Sequence, residues 1–159
     1  MKIALGGDNN AFKLKGIIKE HLENQGFDID DYGCHSEDAV DYPDVAYEVA
    51  QAISEEKADR GILICGTGIG VSIAANKYPG VRAALAHDVY SAERAQLSNN
   101  AQILTMGAQI VGDQVAKKVV DAYLNVEWAE GSKRKVDKII EQEKQFVSEN
   151  LQDVVTKGC

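Results

Sequence analysis

A thiol, a hydroxyl and three glycines lie within six consecutive residues, Cys65-Gly66-Thr67-Gly68-Ile69-Gly70. Glycines let the backbone approach a ligand closely, so a loop of this kind can direct several N–H groups at one anion. A thiol beside such N–H dipoles forms a thiolate readily, and a thiolate can act as a base or a nucleophile. The stretch therefore predicts an anion cradle with a reactive thiol beside it.

The same stretch also has a purely structural interpretation. Glycines after a buried strand make a strand-to-helix turn, and a cysteine there is often a small core residue. The spacing does not match the dinucleotide-binding fingerprint, and the Gly-Lys-Ser/Thr end of the nucleotide P-loop is missing. A nucleotide-binding module is therefore disfavoured, whereas the catalytic and structural interpretations of Cys65 both stay open.

The composition restricts the class of protein. With 159 residues, 45% of them hydrophobic and two of them proline, the chain is expected to fold as one domain. A formal net charge of -8 disfavours nucleic acid as a partner, since phosphate contacts need a basic surface. No apolar run reaches the length of a membrane span. Three widely spaced cysteines favour a reducing, cytoplasmic compartment and form no zinc pattern.

Apolar strands alternate with amphipathic helices along the chain, and this order predicts βαβ units with a parallel sheet. Strands are expected at 2–6, 27–32, 61–64, 81–86 and 103–106, and helices at about 11–24, 44–54, 71–77, 90–97, 113–125 and from 136 onward. The carboxyl ends of the strands would gather Asp8, Cys65 and His87 at the edge where open α/β sheets bind ligands. Histidine is the side chain most often used for proton transfer near neutral pH.

Six segments carry a family resemblance, and Cys-Gly-Thr-Gly followed by Ala-Ala-Asn-Lys is the most specific part of it. They are Lys2-Ile3-Ala4-Leu5-Gly6 with Asp8, Asp41-Tyr42-Pro43-Asp44, the stretch from Ile62 to Lys77, Pro79-Gly80-Val81-Arg82-Ala83-Ala84, Ser98-Asn99-Asn100-Ala101 and Val136-Asp137-Lys138-Ile139. In this order they make the chain resemble the ribose-5-phosphate isomerase type B and galactose-6-phosphate isomerase family, over roughly residues 1–141.

The resemblance implies a Rossmann-like three-layer α/β/α sandwich with a mostly parallel five-stranded sheet. It implies a C-terminal helix exchanged or packed at a dimer interface, and a homodimer or a dimer of dimers with active sites shared between subunits. The isomerase domain would cover residues 1–145, with 146–159 as its helical extension. The implied activity interconverts an aldose phosphate and a ketose phosphate through a cis-enediolate, without a metal or a cofactor.

The resemblance also implies roles for individual residues. Cys65 would be the base that takes the C2 proton of the aldose, with Thr67 helping to hold the developing oxygen charge. Another branch of the family uses a Glu just after the glycine loop, and that position is Val71 here. The residues expected to bind the substrate are Asp8, Asn9, Tyr42, Gly66, Gly68, Gly70, Ser72, Ser98 and Asn99.

The chain departs from the family pattern where the sugar ring is opened and the phosphate is held. Asn9 and Ser98 stand in place of histidines, Gln109 stands in place of an arginine, and the Gly-Gly-Arg-His segment is shortened to Gly131-Ser132-Lys133. His87 is then the candidate replacement acid. The candidate phosphate-binding residues are Arg94, Lys133, Arg134 and Lys135.

Three interpretations of the function follow. Ribose 5-phosphate, converted into ribulose 5-phosphate, needs a group that opens the ring. A tetrose 4-phosphate lacks the free hydroxyl that closes a furanose, and the run from His87 to Arg94 resembles a branch of tetrulose-phosphate isomerases acting on erythrulose 4-phosphate and erythrose 4-phosphate. The missing histidines also suggest a non-catalytic phosphosugar-binding or partner subunit.

Overall fold

The computed structural model of the chain describes residues 1–148. Its strands are β1 (Lys2–Gly7), β2 (Asp28–Asp31), β3 (Arg60–Cys65), β4 (Ala83–Leu85) and β5 (Ile103–Gly107). Its helices are α1 (Phe12–Glu23), α2 (Tyr42–Ser54), α3 (Ile69–Asn76), α4 (Val89–Leu97), α5 (Asp113–Leu124) and α6 (Lys133–Ser148), with a short 3₁₀ turn at Asn9–Ala11. The predicted order of strands and helices is confirmed.

The sheet places the loop after β1 beside the loop after β3. Its five strands are all parallel and stand in the order β2-β1-β3-β5-β4. The chain leaves β1 towards β2 and leaves β3 towards the other side of the sheet, so the connections diverge between these two strands. Gly7 pairs with Ile64 across that gap. Open α/β sheets bind their ligands at such a switch point, outside the carboxyl ends of the strands.

Helices cover both faces of the sheet, which confirms the predicted three layers. The cluster that contains α1, α4 and α5 receives Ile3 and Leu5 of β1, whereas the cluster that contains α2 and α3 receives Ala4. Successive side chains of a strand point to opposite faces, so each central strand contributes to both layers. Within residues 1–148, no helix is both long enough and apolar enough to cross a membrane.

On α5, Val115 lies outside the core and is 48% exposed. The buried stripe runs instead through Ala116, Val119, Val120 and Tyr123. At about 100° of rotation per residue, position 115 falls on the flank of that stripe and not at its centre.

Helix α6 begins earlier than the sequence predicts and leaves most of its apolar stripe uncovered. The basic residues from Lys133 to Lys135, which come before the predicted start at 136, are already helical. Val136 is buried, but Ile139 and Phe146 are 49% and 68% exposed. The carboxylate of Glu143 accepts a hydrogen bond from the Gly80 N–H at 3.0 Å, which ties α6 to the connection between α3 and β4. Much of the predicted 146–159 extension lies outside the described residues.

Candidate active site

The thiol of Cys65 lies at the carboxyl end of β3, beneath the glycine loop of residues 65–70. Its residue is only 4% exposed. The backbone N–H of Gly68 donates a hydrogen bond to Cys65 Sγ at 3.0 Å. The sulfur is therefore a buried hydrogen-bond acceptor and not merely a small apolar core atom.

Gly68 must be glycine for two independent reasons. Its φ is +77° and it caps the N-terminus of α3, a conformation that residues with a Cβ rarely adopt. A Cβ there would also lie 2.5 Å from the carbonyl carbon of Met106 and 2.6 Å from Cδ1 of Leu85. The loop therefore lies directly on the backbone of β5.

Tyr42 reaches the loop because α2 begins close to it. A Cβ on Gly70 would lie 2.7 Å from two atoms of the Tyr42 ring, so the ring rests on the first turn of α3. The ring is partly open to solvent, with Tyr42 41% exposed. Tyr42 and the glycine loop thus border the same open edge of the sheet.

Two hydroxyls flank the start of α3. Thr67 is exposed, and its Oγ1 accepts a hydrogen bond from the Ile69 N–H at 3.3 Å. Ser72 is half-buried one turn into the helix, and its own N–H donates to the Gly68 carbonyl at 3.3 Å. The positive end of the helix dipole favours negative charge at this position. The loop from Gly66 to Gly70 and the start of α3 therefore suit a ligand oxygen that gains negative charge.

Asp8 follows β1 directly and holds a carboxylate at the switch point. The residue is 6% exposed, and its backbone N–H donates to the Ile64 carbonyl at 3.3 Å. Its Oδ1 has no hydrogen-bond partner among the described residues, and its Oδ2 has only a 3.4 Å contact from the Asn10 amide. Buried polar atoms are normally paired, so the free oxygen suits a hydroxyl donor from a ligand.

The neighbourhood of Asp8 is fixed by a second thiol. Cys34 donates from Sγ to the Asp8 carbonyl at 2.8 Å, and burial raises the pKa of this thiol, which keeps it a donor. Asn9 is turned towards the following loop, where its Oδ1 accepts from the Val40 N–H at 3.4 Å. These contacts hold the backbone of the Asp8 turn against β2 and its loop.

His87 follows β4 and is fixed to the neighbouring strand. The Gly107 N–H donates to His87 Nε2 at 2.9 Å. A backbone N–H can only donate, so Nε2 carries the lone pair and the neutral ring holds its proton on Nδ1. Gly107 pairs with Cys65 in the β3–β5 register. The structure thus brings Asp8, Cys65 and His87 to one edge of the sheet.

Ser98 and Asn99 lie at the other end of the strands, on the side of the sheet where the strands begin. They form the turn that follows α4 and precedes β5, and the adjacent Asn100 carbonyl accepts from Arg82, which precedes β4. β3 alone spans six residues, which is roughly 17 Å at the usual rise per residue. Within one protomer these two residues do not share a site with Cys65.

The predicted phosphate cations are also away from the glycine loop. The segment before α6 is anchored near the amino ends of the strands, because the Ala129 N–H donates to the carbonyl of Leu97, the last residue of α4, at 3.3 Å. From there the chain enters α6, where Lys133 Nζ lies 2.9 Å from both oxygens of Asp137. Arg134 and Lys135 are exposed on the same turn. One protomer therefore does not bring these three cations to the thiol.

Arg94 lies on α4, beyond the loop that carries His87. Its guanidinium is 3.9 Å from a Glu93 carboxylate oxygen and 6.0 Å from the centre of the Tyr90 ring. Both are local contacts on the surface of the same helix. The described contacts thus leave its proposed phosphate role untested.

Sequence reasoning did not single out Thr105, and it treated Gln109 only as a missing arginine. The buried hydroxyl of Thr105 donates to the Gly68 carbonyl at 3.0 Å. The Gln109 N–H donates to the Gly66 carbonyl at 3.0 Å. Its side chain packs beside Gly66, since a Cβ on Gly66 would lie 3.4 Å from the carbon and the oxygen of the Gln109 amide. The signal for Thr105 was weak: it is one polar residue inside the apolar strand Ile103–Gly107.

Comparisons with known proteins agree with this arrangement. The profile of a family described as Ribose/Galactose Isomerase matches residues 3–139. The chain is 47% identical over 142 residues to a D-erythrulose-4-phosphate isomerase of Pectobacterium atrosepticum, covering 87% of this chain and 93% of that protein. It is 45% identical over 138 residues to a ribose-5-P isomerase B of Listeria innocua, covering 86% and 93%.

A solved structure extends the similarity to three dimensions. The ribose-5-phosphate isomerase B of Mycoplasma genitalium with bound ribulose-5-phosphate superposes with a TM-score of 0.86 at 41% identity, covering 90% of this chain and 96% of that one. The α/β architecture and the order of elements are therefore shared over nearly the whole of both chains.

Proposed function

From the premise that the chain belongs to the ribose/galactose isomerase family, we propose that it interconverts ribose 5-phosphate and ribulose 5-phosphate. The observation that carries this proposal is the Cys65 thiol at the switch point, with the Gly68 N–H donated to its sulfur. An aldose–ketose isomerase moves one proton between adjacent carbons and needs one base and donors for the neighbouring oxygens. The edge of the sheet that carries Cys65 offers both.

In the proposed reaction the Cys65 thiolate removes the C2 proton of the open-chain aldose. The C2–H electron pair becomes the C1=C2 bond, and the C1 carbonyl pair moves onto O1 to give the cis-enediolate. The O2–H proton passes to O1, which leaves the negative charge on O2. The thiol then returns its proton to C1, the C1=C2 pair becomes the new C1–H bond, and the O2 charge forms C2=O. The Thr67 hydroxyl and the loop N–H groups other than those of Gly68 and Ile69, which already donate to Cys65 Sγ and Thr67 Oγ1, hold the oxygen on which charge develops. The free Oδ1 of Asp8 accepts a sugar hydroxyl.

His87 is the proposed acid for ring opening. Its Nε2 is engaged by Gly107, so Nδ1 is the nitrogen left to act. It gives its proton to the ring oxygen as the C1–O bond breaks, and it takes the O1–H proton in return as C1=O1 forms. A reducing, cytoplasmic compartment is part of the proposal, because Cys34 and Cys65 are free thiols and oxidation would remove the base.

The proposed active site is completed by a second copy of the chain. The length of the strands separates Cys65 from Ser98, Asn99 and the cations from Lys133 to Lys135. A homodimer is therefore needed to bring both groups to one substrate. Large apolar side chains border the Cys65 edge and are open to solvent. They are Ile69, Ile73 and Tyr90, at 51%, 57% and 71% exposure. A patch of this kind favours a covering protein surface.

A substrate panel tests the proposed function. Purified protein assayed with ribose 5-phosphate and with erythrulose 4-phosphate should show a kcat/KM at least about tenfold higher for ribose 5-phosphate, because the extra hydroxymethylene adds a polar contact that only the longer sugar satisfies. A preference for the four-carbon sugar would overturn the ribose assignment. Tight binding of either without turnover would favour a non-catalytic binding subunit.

Subunit mixing tests the shared site. Cys65→Ala and Asn99→Ala homodimers should each be nearly inactive, yet their mixture should recover about a quarter of wild-type activity, because half of the dimers are mixed and each of these holds one intact site of two. The measurement is ribose 5-phosphate turnover after the two proteins are unfolded together and refolded. Unmixed samples treated in the same way are the control. No recovery with mixed dimers present would place both residues in one subunit, and an active Asn99→Ala homodimer would remove Asn99 from the site.

A further inference from the structure

Two hydrogen bonds join Thr105 to the sulfur of Cys65 through one glycine. The Thr105 hydroxyl donates to the Gly68 carbonyl at 3.0 Å, and the Gly68 N–H donates to Cys65 Sγ at 3.0 Å. Thr105 is completely buried. Its hydroxyl is therefore shielded from competing water, and the orientation of Gly68 depends on it.

The other support for Gly68 is weaker. Its carbonyl also accepts from the Ser72 N–H, but at 3.3 Å, in the first turn of a helix of only eight residues. The positive φ of Gly68 is a conformation that glycine leaves again easily, because glycine has many accessible alternatives. A loop residue of this kind needs an external contact to keep its N–H aimed at one atom.

The strand that carries Thr105 also holds the other side of the site. The Thr105 carbonyl accepts from the Ala86 N–H at 3.1 Å, one residue before His87, and Gly107 of the same strand donates to the His87 ring. β5 is thus the common support of the thiol loop and of the imidazole. Among the described contacts, Thr105 is the one residue of β5 whose side chain is hydrogen-bonded to the glycine loop.

We propose that Thr105 is a positioning residue for the reaction, acting through the backbone of Gly68 to hold an N–H donor on the Cys65 sulfur. It does not touch the substrate. Its hydroxyl keeps the N–H donor on the sulfur and the sulfur in place, so its loss lowers the rate of proton transfer more than the affinity for the sugar. The kinetic part of this inference rests on the proposed isomerase function.

Thr105→Val tests the inference, because valine keeps the shape and removes the hydroxyl. The expected result is a kcat reduced by about tenfold with KM changed less than about threefold, since an indirect positioning contact contributes less than a direct donor. Alkylation of Cys65 by iodoacetamide at one fixed neutral pH, without substrate, should slow by about fivefold. Mass spectrometry of the Cys65 peptide separates this thiol from the other two.

Thr105→Ser and Thr105→Ala form a second matched pair, which differs only in the hydroxyl and serves if valine is not tolerated. Serine should retain wild-type kcat and alkylation rate within about threefold, while alanine should behave like valine. Equal rates in the serine and alanine proteins, both folded by circular dichroism, would overturn the inference. Slowed alkylation in a protein that turns over no sugar phosphate would retain the positioning role and reject the proposed function instead.

Discussion

Cys65→Ala should lower kcat for ribose 5-phosphate by about 10³-fold, within the range that a positioned general base contributes. The alanine removes the proposed proton carrier, which is also the acceptor for the Gly68 N–H, but it keeps the strand pairing of Cys65, which is made through the main chain. The sharper measurement is the loss of deuterium from C2-labelled substrate to water. This exchange reports the first proton transfer even when the net isomerisation is too slow to follow.

Two variants control this result. Cys65→Ser keeps a side chain of nearly the same size but offers a hydroxyl, a far weaker base at neutral pH, so it should fail in the same way. Cys34→Ser replaces the other buried thiol and retains a donor for the Asp8 carbonyl, so its exchange rate should stay within about tenfold of wild type. Exchange at the wild-type rate in folded Cys65→Ala would mean that the base is another group.

The part of the site that could be read from the sequence is the part built by consecutive residues. The glycine loop follows a buried strand and precedes an alanine-rich helix, so both its place and its contents were predicted from one stretch. The boundaries differ in small ways with clear causes. α2 begins at Tyr42 and not at Asp44 because Pro43 fits the first turn of a helix, and this start brings the Tyr42 ring onto Gly70.

Contacts between distant segments were harder to predict. A threonine in a strand is usual, since β-branched residues favour strands, so nothing in the sequence marked Thr105 as the partner of a loop more than thirty residues earlier. β4 is shorter than its apolar run predicts because it is an edge strand. The Arg82 N–H, just before it, donates to the side chain of Gln102 and not to a neighbouring strand.

The separation of Ser98 and Asn99 from Cys65 follows from topology. A helix between two parallel strands must carry the chain back across the sheet, so residues that follow α4 cannot lie at the edge where α4 begins. The predicted roles of these residues therefore depend on a second subunit. The apolar stripe of α6 requires a covering surface, but its pattern does not identify which surface covers it.

Gly68→Ala should lower kcat by at least about 10²-fold, because displacing a reacting group by about 1 Å has effects of that size. The added Cβ would lie 2.5 Å from the Met106 carbonyl carbon, a backbone atom of a central strand, so the loop must move and not the strand. That movement takes the Gly68 N–H away from the Cys65 sulfur. The measurement is steady-state turnover combined with urea unfolding.

Gly80→Ala is the matched control, because Gly80 has nearly the same φ, +81°, and a Cβ there would have nothing within 4 Å. Both alanines carry the strain of a left-handed backbone, about 1–2 kcal/mol of the free energy of unfolding. Only the alanine at position 68 also meets β5. A similar loss of stability in both proteins, with activity lost only at position 68, would separate loop position from backbone strain. Full activity in folded Gly68→Ala would contradict any role for the Gly68 N–H, and with it the geometry on which the proposed thiolate depends.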